Sequence, residues 1–474
     1  MKYILKHIQI LLACFSLNVY SQNSLEIIQY PDTLFTTNDS FFVKGLVWEK
    51  EWILATTTSD TVDLGTDGFE GNNIMVWTQR DTITIPYVNA PFEQKVLIPI
   101  ASKNDTTIYK LRFNAQSSKF SNSIISDSRG KIVFQIPEIY ELANIILFLS
   151  DCSVLTKNHF ENSEYSKNVL NYFGKFKNHP LIQILNKKCL NGNHWSVYYG
   201  FRENSICYKF EENNLIEYAT QYKHVYSDNT YIQGGEFRNL VYLVQDFINQ
   251  TDYRSFFKSN SKYYKQLETR QNELQPIQNM WNWLEKEFPQ KLDCYKIFFS
   301  PLIEGSHSTQ KFYKGFFKKP EYQECIMFIN SPEKIDANVE YSEVVKKGLM
   351  SGIVFTEIDH NYVNPTSSEN FNAIKSLISN KDIWATKEAQ ENYRSEYSIF
   401  NEYMTHSLFC LYVTESYSEH DRIKIVNQRI KLMERRGFIK FDQFNEKLIN
   451  KLKGRKMSVY EMYPEIIEIM KEIK

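Results

Sequence analysis

Residues Gly352 to Pro365 read GIVFTEIDHNYVNP, near the end of a long apolar-periodic segment that stops at a proline. At the centre lies TEIDH, one residue short of the pattern H-E-x-x-H. In that pattern two histidines one helical turn apart hold a zinc ion, and the glutamate between them accepts a proton from the bound water. Glu357 and His360 fill the second and fifth positions, and Thr356 stands where the first histidine belongs. With 56 acids and 9 histidines, a carboxylate three residues before a histidine arises by chance about once. Context gives this one weight. On a helix, Thr356 and His360 follow Leu349 and Ile353 on one face, and ionisable groups within an apolar face are costly unless paired or metal-bound. Pro365 is expected to close a helix running from about Ser342 to Tyr362.

Two further polar intrusions lie on either side of this stretch. Downstream, SIFNEYMTHSLFCLYV places Glu402 and His406 one turn apart among Ile399, Phe400, Phe409 and Val413. Glu402 suits a third metal ligand in type and order, or else a buried acid paired with a cation or tyrosine; His406 reads as a packed histidine. Upstream, SPLIEGSHSTQ carries His307 in a loop after an apolar strand. Such a loop aims an imidazole at a metal or a substrate oxyanion, or leaves it solvated. His179, before a proline in NHPLI, reads as support for a helix start. The chain has no G-x-S-x-G elbow and no phosphate-binding glycine loop.

A length of 474 residues predicts more than one domain, and 42% hydrophobic with 23% charged residues describes a globular chain. Lysine and arginine number 55 against 56 acids, so bulk attraction to nucleic acid is disfavoured. Lys2 and Lys6, the apolar run Ile8 to Leu17 and the small-residue site near Ser21 predict a signal peptide over 1–21 and an exported chain, periplasmic or extracellular. Cys14 in LLAC offers a lipid anchor as the alternative. No later apolar run is long enough to span a bilayer, so the mature chain is expected to be soluble. The six later cysteines have no C-x-x-C spacing and are expected to be buried single thiols.

From 22 to 116 the chain is punctuated by short β-branched and aromatic runs such as SFFVKGLVW, NIMVW, KVLIPIA and TIYKLRF. They predict an all-β, antiparallel, immunoglobulin-like sandwich. Asp60, Asp63 and Asp67 sit in a turn-rich part of it, as loop caps or a calcium loop. SSKFSNSIISDSRG, over 117–130, reads as a linker. Beyond it the texture is mostly helical with a few strands. WSVYYGF and ICYKF are expected to pair as strands, and CYKIFFSPL and ECIMFIN to be buried ones.

The order IPEIYELANIILFLSD, NHPLI, SPL followed by G-x-H-x-T, E-x-x-H-x-x-x-N-P, then NEYMT resembles the exported bacterial family called domain of unknown function 4932. That family is regarded as zincin-like, a metallopeptidase fold with a helix-borne zinc site. The resemblance covers 131–474 and implies a mostly helical α+β zincin-like domain. It makes His360 a metal ligand, Glu357 the general base and Glu402 the third ligand. With Thr356 in place of the first histidine, His307 is the residue left to complete a zinc centre, and a peptide or protein is the implied substrate. The alternative is a non-catalytic descendant of that fold, acting as a secreted or envelope-associated binding protein.

Overall fold

The computed structural model describes residues 26–29, 32–45, 51–56, 61–65, 73–86, 93–103, 105–114, 120–160, 163–191, 194–217, 222, 235–305, 307–316 and 319–473. The signal-peptide segment with Cys14, and the acids Asp60 and Asp67, lie outside them. The chain divides into two units, 1–117 with 315–321, and 118–314 with 322–474.

In the first unit the β-branched and aromatic runs form strands β1 (Glu26–Gln29), β2 (Leu34–Phe35), β3 (Ser40–Gly45), β4 (Glu51–Ala55), β5 (Thr61–Gly65), β6 (Asn73–Trp77), β7 (Thr82–Pro86), β8 (Glu93–Ala101) and β9 (Thr106–Asn114). They make two sheets. One has the order β4-β3-β6-β7, antiparallel throughout; the other runs β1-β8-β9-β5, with β2 also on β8. Phe41 and Val43 from the first sheet share one core with Val96, Ile98, Tyr109 and Leu111 from the second. The pairing is not wholly antiparallel, because β1, β2 and β5 run parallel to their neighbours. Strands far apart in sequence meet there, and local alternation carries no record of such pairing.

The stretch read as a linker is built into the second unit. Helix α1 (Asn122–Ser128) is capped by Ser121, whose hydroxyl accepts the Ile124 N–H at 3.3 Å. Phe120 just ahead of it is buried against the Tyr322 ring, with centroids 4.9 Å apart. Ser121, one of the serines in the stretch read as a linker, serves here as a cap, and Phe120, Ile124 and Ile125 supply the apolar face.

Strand β10 (Ile132–Gln135) leads through Pro137 into α2 (Glu138–Leu149), buried along almost its whole length. Helices α3 (Asp151–Thr156), α4 (Pro180–Asn191) and α5 (His194–Asn204) follow. Helix α5 is the segment WSVYYGF, so the expected strand pairing is wrong. Its composition favours strands, yet Val197, Tyr198 and Phe201 fall on one helical face and are buried together. Instead β11 (Tyr208–Glu211) pairs with β12 (Asn214–Glu217). One cysteine expectation fails as well, since Cys152 on α3 is disulfide-bonded to Cys189 on α4 while Cys207, Cys294, Cys325 and Cys410 are free and buried.

Strands β13 (Cys294–Ser300), β14 (Ser308–Phe316) and β15 (Lys319–Asn330) join β10 in the order β10-β13-β15-β14, with β13 parallel to both its neighbours. After this sheet come the helices that carry the site. Helix α6 (Glu343–Glu369) starts at Ser342, which caps Val345 N–H. Helix α7 (Glu396–Ser416) starts at a capping box between Ser395 and Ser398, and α8 (Glu419–Arg435) at Ser418.

Helix α6 does not stop at Pro365 but continues a turn beyond it. Hydroxyls bind the carbonyls around the proline: Thr366 Oγ1 donates to Tyr362 O at 2.9 Å, Ser368 Oγ to Asn364 O at 2.8 Å, and Tyr397 from α7 to Asn364 O at 2.8 Å. Tertiary packing of Thr366 and Ser367, both fully buried, outweighs the local cost of the proline.

Candidate functional site

Helices α6, α7 and α8 enclose a pocket of about 620 Å³, which His307 and Tyr199 also line. It is within the range of small-molecule sites. Glu357 and His360 face it from α6, Glu402 and His406 from α7, and Arg429 and Arg435 from α8, with Arg436 just past the end of that helix. The close approach of α8 to α6 depends on two glycines. A Cβ on Gly348 would lie 2.2 Å from Ile425 Cδ1, and one on Gly352 would lie 1.9 Å from Arg429 Nη2. The i, i+4 pair Gly348 and Gly352 thus forms a flat strip under the i, i+4 pair Ile425 and Arg429.

His360 and Glu402 come together, with Nε2 and Oε1 3.8 Å apart. The other ring nitrogen of His360 lies 3.2 Å from Asn364 Oδ1, which also accepts from Asn401 Nδ2 at 3.0 Å. An Nδ1–H donated to Asn364 orients the ring with Nε2 towards Glu402. The second carboxylate oxygen of Glu402 is already engaged. Arg436 Nη2 donates to Oε2 at 2.7 Å and also bonds the Tyr393 hydroxyl. Burial would raise the Glu402 carboxyl, but Arg436, His406 and His360 outweigh it and hold the group well below the usual carboxylate range.

His406 is wedged between cations. Arg429 Nη1 is 2.9 Å from its Nδ1 and Arg436 Nη1 is 2.6 Å from its Nε2, while Glu402 Oε2 lies 3.3 Å from Nε2. Burial lowers the imidazole to about 3, and the two arginines add to this against the pull of Glu402. At neutral pH the ring is therefore uncharged. With Nε2–H the ring donates to Glu402 and Nδ1 accepts from Arg429; with Nδ1–H it is Nε2 that accepts from Arg436.

Glu357 is buried in the same pocket, and burial raises its carboxyl to about 8, with Glu402 and Glu203 adding and Arg436 opposing. Asp359, on the same helix, is buried without a hydrogen-bond partner for either oxygen. Burial, with Glu357 and Glu402, pushes its carboxyl well above the usual carboxylate range, with the Arg429 charge opposing.

The remaining candidates sit differently. Thr356 donates its hydroxyl into its own helix, 3.0 Å from Gly352 O and 3.0 Å from Ile353 O. His307 reaches the pocket wall, with its Nε2 3.1 Å from Asn330 Oδ1, and burial, with Arg202 as the next cause, lowers the ring to about 4. His179 stands apart, its Nδ1 accepting Leu181 N–H at 3.2 Å at the start of α4.

A zinc centre of the kind the resemblance implies needs at least three protein donors. Among the described residues, no three His, Cys, Asp or Glu side chains converge into such a group. The cation that neutralises Glu402 is the guanidinium of Arg436. These residues do not fit a zinc ion as they stand. Arg429 and Arg436 were missed in the sequence because EHDRIKIVNQRIKLMERR reads as a solvated helix face. The signal that could have revealed them is the Gly348/Gly352 spacing on the facing helix.

No protein-family model, curated protein or solved structure matches this chain. Among the described residues, no helix is long and apolar enough to cross a membrane.

Proposed function

We propose that this chain is a non-catalytic, zincin-like binding protein, in which the helix-borne centre is a ligand pocket and not a peptidase site. One observation carries the reading: Arg436 is bonded to Glu402 where a metal-dependent enzyme needs that carboxylate for its ion. Thr356, in place of the first histidine, points the same way. The Cys152–Cys189 disulfide supports an exported setting, in which such bonds persist. We take the two-sheet first unit to be an immunoglobulin-like sandwich, an accessory unit with no catalytic grouping among its described residues.

A second reading, a zinc-dependent peptidase, is favoured by a different observation. His360 Nε2 lies 3.8 Å from Glu402 Oε1, with the ring oriented by Asn364 as metal-binding imidazoles usually are by a second polar partner. It keeps His360, Glu402 and His307 as ligands and Glu357 as base. The two readings differ in what Thr356→His does. In the binding reading, Thr356→His alone leaves zinc affinity weak, and Thr356→His with Arg436→Met raises it by orders of magnitude, because the competing cation has gone. In the peptidase reading, the native chain cleaves peptides in the presence of zinc and Glu357→Gln abolishes that cleavage. Zinc-dependent turnover by the native chain would end the binding reading.

A further inference from the structure

Arg429 is 7% exposed, and among the described residues its guanidinium has one hydrogen-bond partner, the His406 ring, and no carboxylate in ion-pair contact. Its plane stacks on Phe409, with Cζ 4.6 Å from the ring centroid. A buried arginine whose charge is left uncompensated is expensive, and an arriving anion recovers that cost. Within the pocket, Glu402 is matched by Arg436, so Arg429 leaves an excess positive charge, and Arg435 adds to it at the exposed edge. Apolar side chains of Leu349, Ile353, Phe409, Ile425 and Leu432 line the same pocket.

We infer that the pocket binds an organic acid, with its carboxylate on the free edge of the Arg429 guanidinium and its apolar body against the Ile353 and Leu432 wall. This rests on the reading that the centre binds ligands and is not a zinc site. Arg429 suits a planar carboxylate because its fork offers paired donors. Gly352 is part of the site, since any side chain there meets Arg429 Nη2. A free acid and the C-terminal residue of a peptide present the same chemistry.

The test is calorimetric titration of the purified full chain, with and without EDTA. The probes are 3-phenylpropionate, its neutral amide, and N-acetyl-Ala-Phe with free and amidated C-termini. The expected result is one acid bound per chain in EDTA, with the amide at least about tenfold weaker, as for loss of a charged hydrogen bond. Arg429→Met is expected to remove that preference and Arg429→Lys to weaken it. Gly352→Ala, which displaces the guanidinium while leaving its charge, is expected to weaken binding too. Binding of the free-ended peptide but not of 3-phenylpropionate would assign the pocket to peptide termini. Equal binding of acid and amide, or binding of neither acid, by a chain that also takes up no zinc would overturn the inference and leave the binding reading in place. Acid binding that appears only when zinc is bound would overturn both.

Discussion

Glu357 and Glu402 share one pocket yet titrate in opposite directions, and each direction has a consequence. Glu357, raised to about 8 by burial, keeps a proton in the folded chain that the unfolded chain releases near pH 4.5. Its contribution to stability therefore worsens as pH rises from about 4.5 to 8 and vanishes below that window. Glu357→Gln is expected to be more stable than the native chain at pH 7, by up to about 3 kcal/mol, with the difference closing towards pH 4. Denaturant unfolding at both pH values checks this, and a gain that grows at low pH would contradict it. Glu402 behaves in the opposite sense. Its carboxylate is held charged by Arg436, so Glu402→Gln is expected to cost about 2 kcal/mol at pH 7 by taking the carboxylate from a half-buried guanidinium. At this scale the sequence is informative about acids and histidines, because Glu357, His360 and Glu402 interrupt apolar faces. It is uninformative about Arg429 and Arg436, whose burial depends on which face of α8 meets α6.

The pairing of α6 with α8 turns on Gly348 and Gly352. Gly348→Val is expected to destabilise the chain by about 1–3 kcal/mol through overpacking against Ile425. Ile425→Ala in the same chain is expected to recover part of that loss, a coupling that a double-mutant cycle measures. Independent, additive losses would mean that the two side chains do not meet. The start of α6 near Ser342 was legible in the sequence, whereas the Ser121 cap of α1 lay in the stretch read as a linker. The end of α6 was not legible, since the hydroxyls that bind carbonyls around Pro365 include one from Tyr397, 32 residues on. Helix α5 was misread for a related reason: its aromatic and β-branched residues favour strands alone, and only burial of one face makes them helical.

Across the whole molecule, the sequence reading sets a linker over 117–130, and the structure's two units are 1–117 with 315–321 and 118–314 with 322–474. What local pattern does not carry is long-range pairing, including the parallel partners of β8 and β9 and the Cys152–Cys189 bond. That disulfide closes a separation of 37 residues, and its reduction is expected to lower stability by about 3–4 kcal/mol on the loop-entropy relation. Melting with and without reductant tests it, and an unchanged midpoint would contradict it. The central claim is that a guanidinium, and not a metal ion, neutralises the buried carboxylate at the meeting of α6, α7 and α8. The most direct measurement is zinc titration of the purified native chain by calorimetry, after dialysis against a chelator. The expected result is no stoichiometric uptake at micromolar zinc; one zinc per chain, released by His360→Ala and by Glu402→Gln, would contradict it.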